Sequence, residues 1–237
     1  MNVLFVTWDG PQVAYLETLF LPVFGRLAKR GVRFHVVQFT WADERRLSST
    51  RSACENAGVG YRALRVWRRP KALGALASAL VGSRAVLRAI RDLDIDVVLP
   101  RSNLPGLAVL ACGAGGRPVA FDADGLPLDE AVEFAGRSPR SPAHRLLRDV
   151  EAQLVQRAAV VMTRTRSAAR ILAARGGAGT DPGKFHLVGN GRDPAVFHPG
   201  DASGRAATRE ALGVARDAPL VVYAGSLGDQ YCPGEML

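Results

Sequence analysis

Asp122-Ala123-Asp124-Gly125 places two carboxylates two residues apart at the end of an apolar run. Such a pair can hold a divalent cation against a diphosphate, or one carboxylate can take a proton from a hydroxyl. Turn chemistry explains it equally well, since aspartate before glycine is a common strand exit. Arg101 follows another apolar run, where a guanidinium suits a phosphate or a carboxylate. Gly10 precedes a helical pattern, and the N–H groups at a helix N-terminus suit a phosphate. The dinucleotide fingerprint G-x-G-x-x-G is absent from this first loop. Asn190-Gly191 is a turn signal, because both residues tolerate positive φ.

These positions gain meaning from the elements that carry them. Short, nearly continuous apolar runs at residues 3–7, 34–39, 97–99, 119–122, 160–163, 185–188 and 220–224 read as parallel strands covered on both faces. Helical patterns lie between them. Residues 13–29 carry Leu16, Leu19, Phe20, Val23, Phe24 and Leu27 at spacings of three and four, and Gly31 falls where a helix ends. Ser141-Pro142 reads as an N-cap with proline at N1, ahead of Leu146, Leu147, Val150 and Leu154 on one face. The alternation predicts an α/β fold, a Rossmann-like doubly wound parallel sheet. Ligands of such sheets bind beyond the carboxyl ends of the strands. That rule selects the loops at 8–10, 101–103, 122–130, 163–166 and 189–193.

Charge and cysteine usage set the class. The formal net charge is +9, yet lysine occurs only at Lys29, Lys71 and Lys184, so the excess is arginine. Residues 62–91 hold Arg62, Arg65, Arg68, Arg69, Lys71, Arg84, Arg88 and Arg91 with no acidic residue, interleaved with Trp67, Leu73, Leu76, Leu80 and Val81. A basic amphipathic stretch of this kind suits an anionic lipid surface or nucleic-acid phosphates; a core helix with a solvated basic face reads the same way. With no stacking platform or nucleic-acid module in the sequence, no nucleic-acid partner is expected. Cys54, Cys112 and Cys232 are odd in number and far apart, which fits a reducing compartment better than a disulfide framework or a zinc site. Asp9 follows the first apolar residues with no basic segment or cleavage site, so a soluble or peripheral cytoplasmic protein is expected.

A boundary follows Gly189-Asn190-Gly191, where a Pro- and Gly-containing stretch leads to a short helical pattern at 206–212 and the run at 220–224. The expected division is 1–199 as one α/β domain and 200–237 as a linker with the start of a second, incomplete one.

In order along the chain, several segments resemble the glycosyltransferase family 4 pattern of the GT-B fold. They are Val3-Leu4-Phe5-Val6-Thr7, Asp96-Val97-Val98-Leu99-Pro100-Arg101-Ser102, and Phe121-Asp122-Ala123-Asp124-Gly125 with Asp129-Glu130. The helix at 151–159 and Val188-Gly189-Asn190-Gly191-Arg192-Asp193 with Phe197-His198-Pro199 continue the match. Residues 220–227 resemble the strand and Gly-Ser loop that open the family's donor domain.

The resemblance implies transfer of a sugar from a nucleotide sugar to a glycan or lipid-linked acceptor, with no metal and no resident cofactor. By that analogy Asp122 or Asp124 lies near the acceptor hydroxyl as the catalytic carboxylate. Gly10 approaches the donor diphosphate, Arg101, Glu130, Asn190 and Gly191 border the cleft, and Gly225 and Ser226 begin the donor pocket. The basic stretch at 62–91 suits contact with an anionic membrane at the inner face of the plasma membrane. The first loop lacks the paired glycines common in the family, and Asp122 and Asp124 stand where many members carry histidine. The family's donor-side basic pair and E-x7-E segment are not in these residues, so the chain alone is expected to be inactive. The alternative is a non-catalytic binding module that pairs with a separate chain supplying the donor half.

Overall fold

The computed structural model describes residues 1–192, 196–225 and 233–235, without the side chains of 71, 72 and 233. Packing divides the chain into two compact units, Met1–Gly191 and Arg192–Leu237.

In the first unit, β1 (Asn2–Asp9) lies between β2 (Arg33–Thr40) and β4 (Val97–Pro100), and β3 (Gly60–Arg65) pairs with the far side of β2. A second ladder runs β5 (Ala120–Asp122), β6 (Val160–Thr163), β7 (Phe185–Leu187). All pairings are parallel. Two isolated bridges, Val98 with Val119 and Arg101 with Asp122, join β4 to β5. The sheet therefore runs β3-β2-β1-β4-β5-β6-β7, a Rossmann-like order that reverses direction between β1 and β4. The sequence runs expected at residues 3–7 through 185–188 are all present as strands. β3 is the addition: in Gly60-Tyr61-Arg62-Ala63-Leu64-Arg65 two arginines interrupt the apolar residues, as an edge strand tolerates, so no continuous apolar run marks it.

Alternating side chains of β1 feed two cores. Val3 and Phe5 join Leu16, Leu21, Phe24 and Phe34 on one face, where the Phe24 and Phe34 rings stack at 3.9 Å. Leu4 and Val6 join Phe39, Val98, Phe121 and Val161 on the other. The first face is covered by α1 (Leu21–Ala28) and α2 (Glu44–Asn56). The helix predicted at 13–29 begins at Tyr15 and opens with a wide π-turn, Leu16–Phe20, in which Leu21 N–H bonds Leu16 C=O. Pro22 explains it: its ring cannot donate to the turn before it, and the wider turn accommodates the ring.

The second face carries α3 (Lys71–Asp92), α4 (Asn103–Ala111), α6 (Pro142–Arg157) and α7 (Arg166–Gly176), with the short α5 (Pro127–Glu133) after β5. Ser141 caps α6 as the sequence predicts, accepting from His144 N–H with Pro142 in the first turn. Gly106 of α4 sits against Leu154 of α6, where a Cβ would overlap Leu154 Cδ1.

The second unit holds α8 (Ala202–Ala211), capped by Asp201, and Arg209 donates to the Ala215 and Ala218 carbonyls at 2.6 and 2.9 Å. Here one expectation fails. Residues 220–224 form no strand, and Val221 is 94% exposed. A strand exists only as a member of a ladder, and among the described residues none pairs with this segment.

The packing gives a paired prediction. Gly106→Ala should lower stability by about 1–3 kcal/mol through overpacking against α6. Gly25→Ala, on α1 with open space around its Cβ, should raise it by about 0.5–1 kcal/mol. Urea midpoints at unchanged slope measure both.

Candidate functional site

The carboxyl ends of β4, β5 and β6 bring three of the selected loops together around four charges. Arg101 leaves β4 buried and donates Nη1 to Asp122 Oδ2 at 2.8 Å and Nη2 to Asp124 Oδ2 at 2.7 Å. Arg164, just past β6, reaches Asp124 Oδ1 at 3.1 Å and Asp122 Oδ2 at 3.6 Å, and also donates to the Val188 carbonyl. The remaining oxygen of Asp122 accepts the Asp124 N–H at 3.0 Å. The Arg101 guanidinium lies 4.8 Å from the Phe20 ring centre. Asp122 is thus enclosed with both oxygens engaged, while the Asp124 side chain keeps 41% of its surface open.

The backbone on either side is held in sparsely populated conformations. Ser102 has φ 70 and Asp124 φ 63, positive values for residues other than glycine. Each costs about 1–3 kcal/mol and persists only where its surroundings fix it. Ser102 N–H bonds the Asp122 carbonyl, which fixes the first; Arg101 and Arg164 fix the second. The first turn of α4 begins here with no side-chain cap.

At the end of β1, Asp9 is buried and accepts from Thr7 Oγ1 at 2.8 Å and Gln38 Nε2 at 3.0 Å, with Tyr61 donating on to Gln38 at 2.7 Å. Gly10 has a steric reason to be glycine: a Cβ there would lie 2.6 Å from Trp41 Cζ2. Burial pushes the Cys54 thiol up to about 12, with Glu17 and Glu55 adding to it, so this cysteine stays protonated and unreactive.

Glu130 is exposed on α5, its Oε1 3.3 Å from where a Gly125 Cβ would stand, so it borders the Asp124 loop. Its neighbour Asp129 turns the other way, into an ion-pair network that sequence reasoning did not single out. Arg148 bridges Asp129 at 2.7 Å and the buried Glu151 at 2.9 Å, and Arg175 bridges the same two at 2.7 and 3.0 Å. Burial alone would raise the Asp129 carboxyl, but hydrogen bonds from Arg175 and Arg148 carry it below the usual aspartate value. This network ties α5, α6 and α7 together behind the site. Arg164 was also unassigned by type, although the strand-end rule selects its loop.

Asn190 and Gly191 are exposed, and neither takes the left-handed φ that the turn signal suggested. The reason is local: the chain runs straight on from β7, whose exit is already fixed by Val188 N–H bonding the Thr163 carbonyl. Both residues line a groove of about 300 Å³ with Leu19, Phe20, Asp122 and Arg164. Gly225 lies in the second unit at a bend, its Cβ position 2.7 Å from the Tyr223 hydroxyl, and Ser226 falls outside the described residues.

A parallel sheet reversing between β1 and β4, with its polar cluster at the carboxyl edge, defines a Rossmann-like domain of the GT-B kind. Residues 17–191 match the family model for the glycosyl transferase 4-like domain, and the chain belongs to that family. No curated protein matches at a significant level. Among solved structures, a glycosyltransferase from Rickettsia africae is 12% identical with TM-score 0.56, over 92% of this chain and 51% of that one. MurG from Acinetobacter baumannii is 18% identical with TM-score 0.52, over 100% of this chain and 56% of its own. A UDP-GlcNAc 2-epimerase from Neisseria meningitidis is 17% identical with TM-score 0.52, over 80% and 47%. The chain thus spans about half the length of the solved structures it matches.

Asp122→Ala should cost about 3–5 kcal/mol, because it leaves a buried guanidinium without its main partner. Adding Arg101→Leu should restore part of that loss, and a double-mutant cycle by denaturation measures the coupling. The lowered Asp129 carboxyl contributes stability that is present above its unfolded value, about 3.9, and lost as pH falls through the lower folded value. The stability difference between wild type and Asp129→Asn should therefore be largest near neutrality and shrink below about pH 4.

Proposed function

We propose that this chain presents the acceptor in the transfer of a sugar from a nucleotide sugar to a hydroxyl of a glycan or lipid-linked acceptor. The observation that carries the reading is Asp124, a partly open carboxylate held at the carboxyl edge between Arg101 and Arg164. In this role Asp124 accepts the proton of the acceptor hydroxyl as its oxygen bonds the sugar carbon and the nucleoside diphosphate leaves. Asp122 keeps Arg101 and the loop in place. The uncapped start of α4 suits an anionic group on the acceptor, and the largely apolar groove suits an apolar part of it.

A nucleotide sugar as donor is supported by the N. meningitidis epimerase, whose structure is bound to UDP-GlcNAc. Gly225 and Ser226 would begin the donor pocket, and Gly10 would face the diphosphate. The reaction so written needs no resident cofactor or metal; guanidinium groups already face both carboxylates. Two described cysteines, Cys54 and Cys112, are free thiols, which supports a cytoplasmic setting. A second reading is a non-catalytic α/β module that works with a separate donor-binding chain.

Radiolabelled transfer from nucleotide sugars to membrane lipid and glycan extracts tests the reading, with a donor-half chain co-expressed. Asp124→Asn should lower turnover by about 10²–10⁴-fold with acceptor binding kept. Wild-type turnover in that variant would sink the carboxylate role, and acceptor binding without turnover for any donor would favour the module.

A further inference from the structure

The outer face of α3 carries a surface that neither the core nor the candidate site uses. Leu73, Leu80 and Val81 are 66%, 51% and 48% exposed, while the opposite face of the helix buries Ala79, Val86 and Ile90. Trp67, just ahead of the helix, is 51% exposed. A solvated helix face is ordinarily polar, so this stripe is out of place on a surface facing water. Residues 73–92 are long and apolar enough to cross a bilayer by composition, but the inner face is packed into the domain core, so the helix lies on the domain.

Charge defines what the stripe fits. Positions 73, 77, 80, 81 and 84 recur at helical spacing, and toward the C-terminus the same stripe turns basic at Arg84, Arg88 and Arg91, all exposed. Arg68 and Arg69 flank Trp67 at the other end, also exposed. No acidic residue occurs from 58 to 91 or from 97 to 121, the stretches that supply β3, α3, β4 and α4. The nearest acidic residues along the chain are Glu55 on α2, Asp92 at the last position of α3, and Asp94 and Asp96 beyond it.

We infer that this face docks the protein on an anionic lipid surface. α3 lies along the interface, Trp67, Leu73 and Leu80 enter the headgroup boundary, and Arg68, Arg69, Arg84 and Arg88 meet lipid phosphates. Apolar residues ringed by arginine complement such a surface on both counts: burial of the stripe and charge at its rim. Nucleic acid fits less well, because Trp67 is the only aromatic on the stripe and offers no row of stacking platforms.

The docked face leads to the candidate site. Parallel pairing puts the end of β3 at the same edge as Asp9 and Gly10. Trp41 packs over Gly10, and the Arg68 guanidinium lies 5.1 Å from the Trp41 ring centre. A lipid-linked acceptor would therefore meet the site from the membrane side; that orientation rests on the acceptor reading, whereas the docking does not.

Co-sedimentation of the full chain with vesicles, without any sugar donor, tests the docking apart from sugar transfer. Binding is expected to phosphatidylcholine vesicles containing phosphatidylglycerol and not to phosphatidylcholine alone, weakening as salt screens the charge. Arg84→Gln and Arg88→Gln should each lower partitioning about fivefold, and Leu73→Ser with Leu80→Ser should abolish it. Arg45→Gln and Arg51→Gln on α2 should leave it unchanged, and circular dichroism checks that every variant folds. The proposal is overturned by equal binding to both vesicle types, by anionic binding that folded α3 variants keep, or by retention on RNA with no vesicle binding.

Discussion

Between β4 and β5 the sheet is held by only two isolated backbone bridges, and the ion pair of Arg101 with Asp122 spans the second of them. Both groups are almost wholly removed from water, a change that costs several kcal/mol per ion, so Coulomb attraction alone does not explain the pair. What offsets the cost is the number of partners. Asp122 also accepts a backbone N–H, and Arg101 also holds Asp124 and lies against the Phe20 ring. The seam that joins the two ladders is thus the point where the charged cluster is densest. The alignment of four strands with three depends on the same contacts that shape the site.

The arrangement at the carboxyl edge follows from that seam. With β4 and β5 in register, Ser102 donates to the Asp122 carbonyl and is held at a positive φ that a free chain would leave. Asp124 is held likewise, between guanidinium groups from two different loops. A carboxylate kept this way sits in one place before any ligand arrives, the pre-organisation that the proposed role of Asp124 requires. Behind it, Arg148 and Arg175 each bridge Asp129 and Glu151, so α5, α6 and α7 cannot shift independently beneath the loop.

The layered α/β fold is legible because buried parallel strands must be apolar on both faces, and runs such as Val97-Val98-Leu99 have no other reading. β3 is not legible, because an edge strand needs only one covered side and its arginines disguise it. The run at 220–224 shows the converse: apolar residues set a preference for extension, yet pairing makes a strand and none is present among the described residues. At the candidate site, the strand-end rule selects the three loops that the structure brings together after β4, β5 and β6, and residue type picks out Asp122 and Asp124 within them. It cannot tell that Arg101 turns inward to those aspartates rather than outward to a ligand, because side-chain direction is set by a partner 21 residues away. Nor can it tell that the Trp41 ring lies where a Cβ at Gly10 would stand, because that contact comes from a residue on the neighbouring strand's exit.

Arginine's dominance over lysine also gains two separate physical meanings. At Arg101, Arg148, Arg164 and Arg175 the planar fork is what counts, since each guanidinium reaches two different carboxylates at once. A lysine ammonium, one compact charge on a flexible stem, could not span both partners in a fixed geometry. At Arg84, Arg88 and Arg91 the guanidinium groups are exposed, and charge with an apolar stem is enough. One residue type thus serves as a strut where it lies among acids and, in the proposed docking, as a lipid contact where acids are absent. Composition alone reports the sum of the two; burial and the positions of the aspartates separate them.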